Sequence, residues 1–160
     1  MKPLIIANWK MNPTSQKEAE TLFEAIKKGV KSVKNTEVVI CPPFIYLTVL
    51  SGLALGAQDV FYKEKGAFTG EVSVSMLKDL GVEYMIVGHS ERRKYFNETD
   101  EIINKKIKES LVSKLKVILC VGETEDQKET KSQVLESQIT KALEGVSNVN
   151  GQMSNVTFVP

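Results

Sequence analysis

Six short apolar runs, each followed by a turn and a stretch of helical character, constrain this chain more than any other feature. The runs are Leu4–Ala7, Val38–Cys41, Leu53–Ala57 (with Gly56 inside it), Tyr84–Val87, Val117–Val121 and Val156–Val159. Several are rich in Val and Ile and apolar throughout, the pattern of strands covered on both faces. Between them lie segments with readable helix starts. Ser15-Gln16-Lys17-Glu18 is a capping box, and Ala19, Leu22, Phe23, Ile26 and Val30 then recur on one helical side. Ser73–Leu80 reads as a shorter helix stopped by Gly81. Thr99 precedes Asp100 and Glu101, an N-cap with an acidic first turn. Ile103, Ile107 and Leu111 form the stripe that follows. Thr124-Glu125-Asp126-Gln127 predicts a further helix with Leu135, Ile139, Ala142, Leu143 and Val146 on its apolar face, ended by Gly145 and the Asn148–Gly151 stretch.

The order is βαβαβαβαβαβ. Alternation of this kind implies right-handed crossovers and a parallel sheet. Two architectures satisfy it, an open doubly wound sheet and a (β/α)8 barrel. A barrel takes ~250 residues and eight strands, whereas this chain has 160 residues and six apolar runs. Length by itself therefore favours the open sheet. No linker or low-complexity stretch interrupts the chain, so residues 1–160 are expected to form one domain.

Charge narrows the partners. Lys and Arg number 21 and Asp and Glu 20, a net charge of +1, which gives no electrostatic reason to expect nucleic acid or an acidic membrane. Cys41, Cys120 and the single His89 cannot supply a structural zinc site without carboxylates, and two cysteines do not make a secreted disulfide scaffold. Leu4–Ala7 is too short for a secretory signal, and no run reaches the ~20 apolar residues of a membrane span. A cytoplasmic location is expected. No G-x-G-x-x-G or Walker A motif offers a nucleotide site.

In parallel α/β folds, chemistry gathers at the C-terminal ends of the strands. Those ends deliver Asn8-Trp9-Lys10, Cys41-Pro42-Pro43, Gln58-Asp59, Gly88-His89-Ser90-Glu91 and Gly122-Glu123. A lysine, amides and the sole histidine on one rim suggest an anion pocket with a proton-handling group. Taken singly, each has a plainer reading. Lys10 could be a solvated side chain, His89 a structural one, and Ser90–Lys94 no more than a capped helix start. Lys27, Lys28, Lys31 and Lys34 read as a solvated helix face, and the cysteines as small packing residues.

Four motifs together resemble the triose-phosphate isomerase family: Ala7-Asn8-Trp9-Lys10-Met11-Asn12, Gly66-Ala67-Phe68-Thr69-Gly70-Glu71, Val87-Gly88-His89-Ser90-Glu91-Arg92-Arg93 and Cys120-Val121-Gly122-Glu123-Thr124. They stand in the family's order and at its separations from residue 4 to about 159. The resemblance reverses the argument from length. It implies a parallel (β/α)8 TIM barrel, incomplete here, with the first five βα units and strand 6. It also implies interconversion of dihydroxyacetone phosphate and glyceraldehyde 3-phosphate through an enediolate, without cofactor or metal. By motif, Asn8 and Lys10 would bind substrate, the Lys10 ammonium facing the phosphate and the oxygen that gains charge. His89 would be the electrophile, acting as a neutral imidazole beside a helix N-terminus; this enzyme family is itself the standard example of that effect. Glu91 would pair with the lysine, and Gln58 and Glu98 would support the site or the fold. Thr69 would lie on a loop that reaches a partner subunit, which implies a homodimer; read from the residues alone, it is an exposed turn between glycines.

One departure from the family stands out. The family's catalytic glutamate follows strand 6, and residues 1–160 do not contain it; Glu91 and Glu123 match other roles. The chain alone is therefore expected to be inactive, with strands 1 and 6 as unpaired apolar edges. The competing expectations are a half-barrel that needs a partner chain, a non-catalytic phosphate-binding module, and an open flavodoxin-like binding domain.

Overall fold

The computed structural model describes residues 2–146, 149 and 152–160, the side chain of Gln152 excepted. Among the described residues there are six strands: β1 (Leu4–Asn8), β2 (Glu37–Cys41), β3 (Ala54–Ala57), β4 (Tyr84–Val87), β5 (Lys116–Cys120) and β6 (Val156–Val159). Five α-helices accompany them: α1 (Gln16–Gly29), α2 (Val74–Asp79), α3 (Ser90–Phe96), α4 (Asp100–Val112) and α5 (Lys131–Ala142). Short 3-10 helices occupy Phe44–Tyr46, Glu125–Thr130 and Gln152–Asn155.

Strand order decides between the two architectures. All five pairings are parallel, and the order is β1-β2-β3-β4-β5-β6, each strand beside its predecessor in sequence. A doubly wound sheet reverses direction at a switch point; this one never does. The open, flavodoxin-like sheet that length favoured is thus excluded. The six parallel strands form a curled half-barrel, an incomplete TIM barrel.

The two faces of the sheet are both apolar and distinct. Ile40, Met85, Val87, Val117 and Leu119 point toward the helices and join Phe23, Leu77, Ile103, Ile107 and Leu111 in the larger core. Their neighbours along the strands, Val39, Cys41, Tyr84, Ile86 and Ile118, form a second cluster on the inner face, against which Leu4, Ile6 and Val159 pack. This is the period-two alternation of strands covered on both sides.

The helix signals in the sequence hold with local corrections. Ser15, Ser73 and Thr99 cap α1, α2 and α4, accepting hydrogen bonds from Glu18 N, Met76 N and Ile102 N. On α1, Ala19 and Phe23 are buried but Leu22 is 43% exposed, so the apolar face is narrower than its letters suggest. Thr124 caps the 3-10 turn Glu125–Thr130, and α5 starts only at Lys131. That helix stops at Ala142, ahead of Gly145. Of the predicted stop signals beyond it, Asn148, Asn150 and Gly151 lie outside the described residues.

Gly56 shows why β3 tolerates a small residue in its middle. A Cβ there would sit 2.5 Å from Cys41 Sγ, 3.2 Å from Val39 Cγ1 and 3.3 Å from Tyr84 Cβ. All three belong to the inner cluster, and at 2.5 Å the Cys41 side chain would have to shift. Gly56→Ala is expected to destabilise the chain by about 1–3 kcal/mol, the usual cost of overpacking, read as a lower urea midpoint. An unchanged midpoint would show that the inner face has slack.

Candidate active site

Because every strand is parallel, their C-terminal ends share one rim. The register sets Asn8 level with Cys41 and Cys120 level with Val159. Asn8 closes β1, and its Oδ1 accepts a hydrogen bond from Lys10 N at 2.9 Å. Lys10 has φ +55°, a left-handed conformation that costs a non-glycine residue about 1–3 kcal/mol unless its surroundings impose it. They do. Gln58, immediately after β3, donates from Nε2 to Lys10 O and to Cys41 O, both at 2.8 Å. Trp9 N donates to Cys41 O at 3.0 Å. Asn8 and Gln58 therefore hold the Lys10 backbone from both sides.

The Lys10 side chain reaches across the rim. Its Nζ donates to Glu91 Oε1 at 2.6 Å. Glu91 lies in the first turn of α3, whose N-cap is His89. His89 Nδ1 accepts a hydrogen bond from Glu91 N at 3.2 Å. An imidazole nitrogen that accepts carries no proton, so in the neutral ring the N–H is on Nε2. Gly88 makes the approach to His89 possible: its φ is +78°, and a Cβ would meet Cys120 O at 3.0 Å. Asn8, Lys10, Gln58, His89 and Glu91 thus form one connected set.

The Lys10 hydrogen bond holds the Glu91 carboxyl below the usual carboxylate range, with a further contribution from the lysine charge. A lowered folded-state pKa means the pair stabilises the fold above the unfolded value and loses that contribution as pH falls through the folded one. Both side chains are about half exposed, at 54% and 43%, so the pair is worth about 1 kcal/mol or less. In Lys10→Met, Glu91 is expected to titrate at higher pH than in the parent chain, followed by carboxyl carbon NMR. An unmoved titration would disconnect the two residues.

A cavity of about 380 Å³ opens beside His89, lined by Ser90, Arg93, Cys120, Gly122 and Glu123 among others, next to the end of β6. Lys10 and Asn8 are not among its lining residues. Glu98 is not on the rim. It is buried with Asp59 and Lys106, and with the half-buried Arg92 the three form a cluster of two anions and two cations. Burial pushes the Asp59 carboxyl up. At Glu98 burial acts in the same sense, but hydrogen bonds from Lys106 and Arg92 outweigh it and hold the carboxyl low. Thr69 is exposed in the turn between Gly66 and Gly70, outside the rim network.

Sequence reasoning did not find Asp59, Arg92 and Lys106 as a unit. A signal was there. Ile103, Lys106, Ile107, Ser110 and Leu111 share one buried face of α4, and a lysine at helical spacing within an apolar stripe requires a buried carboxylate partner.

Among the described residues no group of three or more His, Cys, Asp or Glu is placed to hold a metal ion, and no helix is long and apolar enough to cross a membrane. A family model described as triosephosphate isomerase matches residues 3–158. A triosephosphate isomerase of Alkaliphilus oremlandii is 49% identical, over 91% of this chain and 61% of its own length. That of Thermoanaerobacter pseudethanolicus is 48% identical over 92% of the chain and 62% of its own. That of Endomicrobium trichonymphae is 42% identical over 99% and 66%. The chain spans about three fifths to two thirds of the length of these curated relatives. With its motifs, its singly wound strand order and this match over nearly its whole length, the chain belongs to the triosephosphate isomerase family.

Proposed function

We propose that the complete protein of which residues 1–160 form the N-terminal part of the barrel interconverts dihydroxyacetone phosphate and glyceraldehyde 3-phosphate by proton transfer through an enediolate. The observation that carries this reading is the Lys10–Glu91–His89 chain of contacts, joined at 2.6 and 3.2 Å. In this reading the Lys10 ammonium and the His89 imidazole, whose Nδ1 accepts from Glu91 N, act from one rim. His89 Nε2–H donates to the substrate carbonyl oxygen and withdraws electron density from the adjacent carbon. The Lys10 ammonium faces the phosphate and the oxygen that becomes negative, and Asn8 adds an amide donor. Charges fixed before the reaction need no reorganisation during it, which is how such groups lower a barrier. The roles of these residues need no metal or organic cofactor. The base that removes the carbon-bound proton comes from the segment after β6, beside the cavity at His89. Residues 1–160 without that segment do not turn over substrate.

The same reading makes the protein a cytoplasmic homodimer, and residues 1–160 one incomplete barrel domain without a linker. Large apolar side chains lie exposed just beyond β1, β2 and β4: Met11 at 89%, Ile45 at 72%, and Tyr95 and Phe96 at 64% each. A second copy of the chain would cover them, with Thr69 on the loop that reaches across.

The test is a chimera in which residues 1–158 replace their counterparts in the Alkaliphilus oremlandii isomerase. Folded chimera is expected to isomerise triose phosphate in a coupled assay. A folded but inert chimera would remove the assignment of Asn8, Lys10 and His89 to this chemistry.

A further inference from the structure

Helix α3 carries both His89, as its N-cap, and Glu91, yet it has seven residues and none of them is buried. So short a helix is not stable alone, and burial of an apolar face does not hold it either. What holds it is charge. Arg92 Nη2 donates to Asp59 Oδ2 at 2.8 Å, and Arg92 Nε to Glu98 Oε1 at 2.6 Å. Lys106 Nζ donates to Asp59 Oδ1 at 2.6 Å and also to Glu98 Oε1. The lysine thereby locks both carboxylates that grip the arginine. Arg92 N in turn donates to His89 O at 2.9 Å, so the gripped residue closes the turn that begins at His89.

This cluster is poorly built for stability. Buried ion pairs seldom outdo apolar packing of the same volume, and Glu98 Oε2 is buried without a partner, which carries a desolvation cost. Its contribution is geometric. Asp59 follows β3, Glu98 lies between α3 and α4, and Lys106 belongs to α4, so the other three charges tie β3 and α4 to one side chain of α3. Deepening the functional reading above, on which its catalytic meaning rests, we propose that Asp59 and Lys106 are positioning residues that act through Arg92 to set the rotation of α3 and hence the placement of His89 and Glu91.

His89 is the only histidine, so its imidazole nitrogens give a single unambiguous set of NMR signals in the 160-residue chain. Lys106→Met, and the charge-balanced pair Asp59→Ala with Lys106→Met, are compared with the parent. Expected in both is a shift of His89 Nδ1 away from its hydrogen-bonded position and a matching change at the Glu91 amide, with cooperative unfolding retained. If a folded variant keeps both signals in place while its urea midpoint falls, the cluster is structural only and the inference fails. Unfolding of both variants overturns it as well. Shifted His89 signals together with an inert chimera would leave the positioning inference standing and remove the functional reading.

Discussion

Assayed alone, residues 1–160 are expected to isomerise triose phosphate at least ~10²–10⁴-fold more slowly than the chimera, the contribution of a single general base. The chain offers no substitute for that base. Glu91 is committed to Lys10, and Glu123 pairs with Lys131 at 3.0 Å. Asp59, after β3, and Glu98, away from the rim, are buried in an ion cluster, and Asp100 is paired with Arg93 at 2.6 Å. An electrophile without a base polarises a carbonyl and takes no proton from carbon. The measurement is a coupled assay on chain whose far-UV dichroism shows that it is folded. Turnover within tenfold of the chimera would mean that a carboxylate within residues 1–160 does the work, and the reading of the site would change at its centre.

In the chimera, Lys10→Met is expected to lower kcat/KM by about 10²–10³-fold or more, the range seen when one preorganised electrostatic group is removed. The fold should survive. Lys10 is exposed, methionine has nearly its length, and any non-glycine residue meets the same φ of +55°. The backbone bonds to Asn8 Oδ1 and from Gln58 Nε2 involve no part of the side chain. His89→Gln should be milder, because an amide can still donate to the carbonyl oxygen. Full activity in Lys10→Met would take the lysine out of the mechanism; an unchanged rate in His89→Gln would do the same for the histidine.

What could be read in the sequence was what repeats or stands next to its neighbours. The six apolar runs gave the strands, and Ser15, Ser73 and Thr99 gave three helix starts, because capping is a matter of three or four consecutive residues. The rim residues were legible because strand ends name them. The choice between sheet architectures was not: strand order depends on which face each crossover covers, and length pointed the wrong way. The four-motif resemblance supplied what periodicity could not. The buried charge cluster escaped because its members come from residues 59 to 106 and meet only after β3, α3 and α4 have packed. Leu22 was misplaced for a related reason. Its letter is apolar, but α1 presents only a narrow strip to the sheet.

The singly wound strand order also bears on how the chain is made. Each strand pairs with the one synthesised just before it, so the sheet can grow in the order in which residues leave the ribosome, without waiting for a distant segment to close a pair. The contacts Lys10–Glu91 and Glu37–Lys116 span 81 and 79 residues and are exceptions. Until α3 emerges, Lys10 has no carboxylate to meet, and the nascent rim is a row of half-made pairings. The advancing edge strand is exposed throughout that interval, which leaves the growing chain open to misassociation with its neighbours.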